Sequence, residues 1–202
     1  MSTVAIIDAG GANLGSVTYA LERLGTQPYI VSSAADLAGA THVILPGVGA
    51  APIAMARLQA QGLVAALRQL RVPLLGICLG MQLLYTDSEE GDTPGLDLLP
   101  GRVCALASTA TQRIPHMGWN TVNLVKPSPL CLGIGAGMSA YFVHSYAAPV
   151  SVDTVATTSH SQVFSAIVQR GHIFGVQFHP ERSAALGQLI IANFLNFSQG
   201  DV

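Results

Sequence analysis

The feature that most constrains the fold is an alternation of two periodicities in the first part of the chain. Short apolar runs at 4–7, 28–31, 42–45 and 73–77 are strand-like, and helix-patterned segments separate them. Asn13 can cap a helix in which Leu14, Val17, Leu21 and Leu24 share one face, and Gly25 reads as its stop. A second helical stretch covers 51–70 with a break at Gly62, and a third covers 79–85. The later part carries shorter strands at 102–106, 119–125, 140–144, 152–158, 164–169 and 173–178, then a last helix at 184–197. This order predicts an α/β fold: a mostly parallel central sheet with helices on both faces and added antiparallel strands. With 202 residues and no repeat or linker tract, the expectation is a single domain over 1–202.

Charge enters the argument through its scarcity. Charged residues make up 10% of the chain, against about 25% in ordinary soluble proteins. Either much of the chain is buried or another protein covers part of its surface. A net charge of -2 gives no reason to expect nucleic acid or an anionic membrane as partner. The longest apolar stretch, 73–85, is interrupted by Gly76, Gly80 and Gln82 and is too short to span a bilayer. The first residues lack a cationic start, which predicts no secretory signal. Cys78, Cys104 and Cys131 form neither a disulfide framework nor a metal clip, so a reducing, cytoplasmic setting without metal or cofactor is expected.

One cysteine has a special context. Gly76-Ile77-Cys78-Leu79-Gly80 lies where a buried strand meets a helix. This is a nucleophile elbow with Cys in place of Ser. Flanking glycines let strand and helix pass closely, and the helix N-terminus favours thiolate. The pentapeptide alone also fits a small buried core cysteine. Cys104 and Cys131 lack this context and read as core or surface residues.

A thiol nucleophile needs a base, which can come from far along the chain. His179 ends the apolar run 173–178 and precedes Pro180 and Glu181. A histidine at a strand's carboxyl end sits on the same rim as the elbow. Pro180 stiffens the turn so that Glu181 can reach back to the imidazole and fix its tautomer. His42 and His172 read as structural and His160 as solvated, while His116 and His144 stay open as binding residues. The Pro46-Gly47-Val48-Gly49 loop follows a strand directly and can offer backbone N–H groups to a ligand. With the N–H of Leu79 it can form an oxyanion hole. A plain strand-to-helix turn has the same sequence form.

Taken in order, P-G-V-G at 46–49, G-I-C-L-G-M-Q at 76–82 and H-P-E at 179–181 resemble the signatures of the class I, or triad, glutamine amidotransferases. The resemblance runs from the first strand to the last helix. P-H-M-G-W-N at 115–120, Y-F-V-H-S-Y at 141–146 and Q-F-H-P-E-R-S at 177–183 resemble more narrowly the glutaminase subunits of imidazole glycerol phosphate synthases. The run at 115–120 discriminates most against glutaminases of anthranilate or pyridoxal phosphate synthesis. An intact Cys78, His179 and Glu181 argues against a non-catalytic binding subunit.

The resemblance implies Cys78 as nucleophile, His179 as base and Glu181 as its orienter. It implies Val48 and Leu79 as oxyanion donors, and Gln82, Glu90, His144, Ser145 and Tyr146 around bound glutamine. Met117, Trp119, Tyr141 and Arg182 would face a (βα)8-barrel cyclase subunit, which receives the ammonia. That subunit would make imidazole glycerol phosphate and an aminoimidazole carboxamide ribotide, in histidine biosynthesis. The chain departs from the family at Gly10-Gly11-Ala12-Asn13, which replaces a G-x-G-N form. Asn13 is kept, and the change is expected to affect loop flexibility near the docking face and not the triad.

Overall fold

The computed structural model describes residues 2–10 and 13–198. Its strands are β1 (Val4–Ile7), β2 (Tyr29–Val31), β3 (His42–Gly47), β4 (Leu74–Cys78), β5 (Tyr85–Ser88), β6 (Thr93–Pro94) and β7 (Leu99–Ala105). They continue as β8 (His116–Thr121), β9 (Asn123–Leu124), β10 (Ser139–His144), β11 (Tyr146–Ala147), β12 (Thr154–His160), β13 (Gln162–Arg170) and β14 (Ile173–Val176). The α-helices are α1 (Leu14–Glu22), α2 (Ala51–Ala60), α3 (Leu63–Arg68), α4 (Leu79–Gln82) and α5 (Ala184–Asn196).

The central sheet has the order β2-β1-β3-β4-β14-β13-β12-β9. The pairs from β2 through β14 are parallel, and β13, β12 and β9 extend it antiparallel. Both faces are apolar because alternate residues point opposite ways. Val4 and Ile6 join Val17 and Leu21 of α1 and Ile190 and Phe194 of α5 in one core. Ala5 and Ile7 join Ala54 and Leu58 of α2 and Leu63 and Leu67 of α3 in the other. The break in the second helical stretch falls at Gly62, whose φ of 68° is left-handed, as the sequence suggested.

Three expectations need correction. The helix after the elbow is a single turn, α4, and Tyr85–Ser88 is strand β5, not a helix end. Leu83 and Leu84 turn their carbonyls to the N–H groups of Leu96 and Leu98, which ends the helix and starts β5. The antiparallel additions do not all join the central sheet. The β10–β8 ribbon stands separately, as does the sheet β11-β7-β5-β6. Finally, β14 pairs parallel with β4, because the β13–β14 hairpin at Gly171, where φ is 55°, returns the chain in that direction. That pairing brings the end of β14 to the rim where β4 delivers Cys78.

Candidate active site

Cys78 is the last residue of β4 and the residue before α4. Its φ of 53° and ψ of -111° lie outside the ordinary regions for an L-residue, as an elbow requires. The glycines around it are dictated by contact. A Cβ on Gly80 would stand 1.8 Å from the Leu45 carbonyl oxygen, and one on Gly76 would stand 2.7 Å from that of Gly80. Gly47 lies opposite Cys78 in the β3–β4 register, so the P-G-V-G loop begins beside the nucleophile. A Cβ on Gly47 would be 2.8 Å from Gly80 N.

His179 follows β14 by a few residues and is buried. Its Nδ1–H donates to Glu181 Oε1 at 2.8 Å. Since Nδ1 is engaged, Nε2 is the nitrogen available to a reacting group; it has no hydrogen-bond partner among the described residues. Burial alone would lower the His179 pKa, but Cys78 and Glu181 outweigh it and raise it to about 10. Burial also works against the Glu181 carboxylate, whose side chain is fully covered; His179 and then Asn13 hold its pKa below the usual range.

Asn13 departs from the expected capping role. Its side chain does not cap α1. Its Nδ2 donates instead to Glu181 Oε1 at 2.6 Å. The loop that departs from the family pattern therefore ends on a residue bonded to the His179–Glu181 pair. Gly11 and Ala12 lie outside the described residues.

A cavity of about 310 Å³ opens over Cys78 and His179. Val48, Leu79, Gln82, Glu90, Ser145 and Tyr146 line it, together with His144. Three of these side chains are already partly committed, and Gln82 Nε2 donates to the Tyr146 carbonyl at 2.8 Å and to Gln177 Oε1 at 3.0 Å. Glu90 Oε2 accepts from the Ala51 N–H at 2.8 Å, holding the start of α2. His144 uses Nδ1 on the Tyr146 carbonyl at 2.8 Å and Nε2 on His116 Nδ1 at 3.0 Å, so its ring offers a ligand no free nitrogen. Burial lowers the pKa of His116 to about 4 and of His144 to about 3. His160, expected to be solvated, is half-buried, stacks on His116 at 4.3 Å and bonds the Arg113 carbonyl at 2.8 Å. His42 and His172 bond the carbonyls of Phe197 and Leu70, as structural histidines do.

Beside the cavity, the β10–β8 ribbon presents Met117, 63% exposed, and Trp119, 57% exposed. Tyr141 lies directly opposite Trp119 in register, with ring centroids 6.1 Å apart, and the Arg182 guanidinium sits 6.0 Å from the Tyr141 ring. The ribbon is tied to the histidine segment by Tyr141. Its carbonyl accepts from the His179 N–H at 3.0 Å, and its N–H donates to Ser183 Oγ at 3.0 Å. The four residues expected to face a partner thus share one surface.

Sequence reasoning passed over Gln177 and Val143, which stand beside the sulfur. The signal for Gln177 was present: it is a polar residue inside an apolar strand run, with the same parity as His179. Among the described residues no cluster of metal-ligating side chains occurs and no helix is long and apolar enough to cross a membrane.

Comparison with known proteins follows the same lines. The family model for glutamine amidotransferase class-I matches residues 5–196. The imidazole glycerol phosphate synthase subunit HisH of Xanthomonas oryzae pv. oryzae is 60% identical over 198 residues, covering 98% of this chain and 99% of that one. The subunit of the same name from Xylella fastidiosa is 59% identical over 195 residues, 96% of this chain and 98% of that one. A crystal structure described as a glutamine amidotransferase shares the fold with a TM-score of 0.77 at 19% identity, covering 100% of both chains. The chain belongs to the class I glutamine amidotransferase family.

Proposed function

We propose that this chain is the glutamine-hydrolysing subunit of an imidazole glycerol phosphate synthase, with Cys78, His179 and Glu181 as its catalytic triad. The observation that carries the reading is the convergence of a strained Cys78 elbow and the His179–Glu181 pair on one cavity. The near-full-length similarity to HisH subunits supports the specific synthase.

In this reading the Cys78 thiolate attacks the side-chain carbonyl of glutamine. The oxyanion forms against the N–H groups of Val48 and Leu79. His179 Nε2 then protonates the departing ammonia, leaving a thioester on Cys78. His179 takes a proton from the attacking water, and glutamate leaves as the thiol is restored. Glu181 keeps Nδ1 protonated, so that Nε2 faces the reaction, and it favours the imidazolium formed on the way. Glu90 supplies a carboxylate suited to the α-ammonium of glutamine. Ser145, Tyr146, Gln82 and the backbone at His144 frame the rest.

Ammonia released into water would be protonated and lost, so a sealed exit has a chemical purpose. The exposed Met117, Trp119, Tyr141 and Arg182 face suits docking of a (βα)8-barrel cyclase subunit, which consumes the ammonia. Such a partner also accounts for a surface poor in charge. Neither nucleic acid nor membrane enters this reading. The cytoplasm suits a biosynthetic enzyme with free cysteines. The test is glutamine hydrolysis with and without the cyclase and its nucleotide ligand. Low activity alone and a strong rise in the liganded complex are expected; full activity without any partner would contradict the coupling. Complementation of a histidine auxotroph separates this synthase from other amidotransferases.

A further inference from the structure

Beyond the triad, the geometry points to Gln177 as a positioning residue for the nucleophile: its amide N–H is aimed at the Cys78 sulfur and favours the sulfur's anionic form. The inference rests on the reading of Cys78 as the nucleophile.

Gln177 follows the end of β14 and is fully buried. The strand's period of two puts Val176 and Phe178 into the apolar core and sends Gln177 and His179 to the other side, where the sulfur lies. Gln177 Nε2 stands 3.8 Å from Cys78 Sγ. A buried amide in the middle of a sheet is unfavourable unless its polar atoms are used. Both are used here, since Oε1 accepts from Gln82 Nε2 at 3.0 Å.

The direction of the amide follows from donor and acceptor logic. The Tyr146 carbonyl can only accept. The Gln82 atom 2.8 Å from it must therefore be the NH2 group, whose second proton points to Gln177. The Gln177 atom that receives this proton must be its oxygen. Its NH2 group is then left facing the sulfur. A reversed amide would put an oxygen lone pair against a thiolate and break the bond to Gln82.

The second neighbour of the sulfur acts oppositely. The Val143 carbonyl lies 3.8 Å from Sγ and can accept from the thiol but not stabilise the thiolate. Gln177 and Val143 thus bracket the two protonation states of Cys78. Gln177 does not line the cavity. Its influence on glutamine passes through the sulfur.

The test follows alkylation of Cys78 by iodoacetamide against pH in the intact subunit, read by mass spectrometry of the Cys78 peptide. That separates it from Cys104 and Cys131 and needs no glutaminase activity. Gln177→Met keeps the volume and removes the N–H. Its alkylation profile should move to higher pH by about one unit, so that the rate near neutral pH falls about tenfold. In the glutaminase assay kcat should drop while KM stays near that of the wild type. A Gln177→Met protein of wild-type melting temperature whose profile overlays the wild type would overturn the proposal.

A second measurement needs no change at Gln177. In the wild-type chain, the Gln177 side-chain amide resonances should shift across the Cys78 titration, followed by thiolate ultraviolet absorbance. They should stay flat in Cys78→Ala. Resonances that ignore the thiol titration in the wild type would overturn the proposal even if Gln177→Met fails to fold. Loss of glutamine hydrolysis with an unchanged alkylation profile would count against Gln177 alone and leave the function of the site standing.

Discussion

The elbow around Cys78 and the ribbon β10–β8 lie side by side, yet they are built on opposite principles. At the elbow, backbone meets backbone: Gly47, Gly76 and Gly80 have no room for a Cβ, and the strained Cys78 is flanked by fully or nearly fully buried strands. The ribbon is two strands with large side chains left in solvent, and its inner side holds polar contacts. Asn120 donates to His116 Nε2 at 3.2 Å, His116 to His144, and His144 to the Tyr146 carbonyl. The elbow is therefore set by backbone sterics, whereas the ribbon is held by side chains, with Ala140 and Phe142 in the apolar core beside the histidine hydrogen bonds, and leaves its outer surface to a partner. Tyr141 joins the two, since it pairs with Trp119 and holds the backbone of His179.

The largest expected difference is in folding. Gly80→Ala would drive a methyl into the Leu45 carbonyl, so urea unfolding should show a loss of more than about 4 kcal/mol, or no folded protein. A larger change in side-chain size at exposed Met117, Met117→Ala, should cost less than about 0.5 kcal/mol of folding stability. Comparable losses at both positions would erase the contrast.

Glu181→Gln comes next. It keeps the shape but removes the charge that holds His179 Nδ1–H. We expect kcat to fall about 10²–10⁴-fold, the range for general acid–base groups, with a much smaller change in KM. Steady-state kinetics check this, and an unchanged kcat would move Glu181 to a purely structural role.

Trp119→Ala should leave the melting temperature nearly unchanged and weaken assembly with the cyclase by at least about 2 kcal/mol, the usual level for an aromatic anchor. Titration calorimetry measures it. Wild-type affinity would remove Trp119 from the interface.

The effects on pH dependence have opposite signs in the two regions. An unfolded histidine binds its proton near pH 6.5. His116 and His144 bind theirs near 4 and 3 in the fold, because burial disfavours the cation. The unfolded state then holds more protons, and stability falls as pH drops below about 6.5, by up to about 1.4 kcal/mol per unit for each histidine. His179 is raised, so its contribution is present below about 6.5 and is lost as pH rises from there toward 10. Denaturation across pH should show His116→Gln flattening the acid limb and His179→Asn flattening the alkaline one. Slopes unchanged in both variants would contradict these assignments.

The two regions also differed in how much of them could be read beforehand. The elbow was legible because glycine spacing is a direct record of close approach, and the strand runs at 4–7 and 42–45 were plain from apolar periodicity. The parallel placement of β14 was not, since direction depends on a hairpin at Gly171 and not on the strand's own residues. From sequence Asn13 reads as a cap, because a helix start is a local signal. Its contact with Glu181 joins positions 168 residues apart. The ribbon's role comes from motif resemblance, and the structure leaves more than half of Trp119 exposed.

The central claim is that Cys78 generates ammonia for a separate synthase half. It is tested most directly by assembling Cys78→Ser with the cyclase and measuring imidazole glycerol phosphate formation from glutamine and from ammonium. The swap changes volume little, so assembly should be intact. The account predicts no product from glutamine and wild-type rates from ammonium. Substantial product from glutamine, or a correctly assembled complex that ammonium fails to drive, would contradict it.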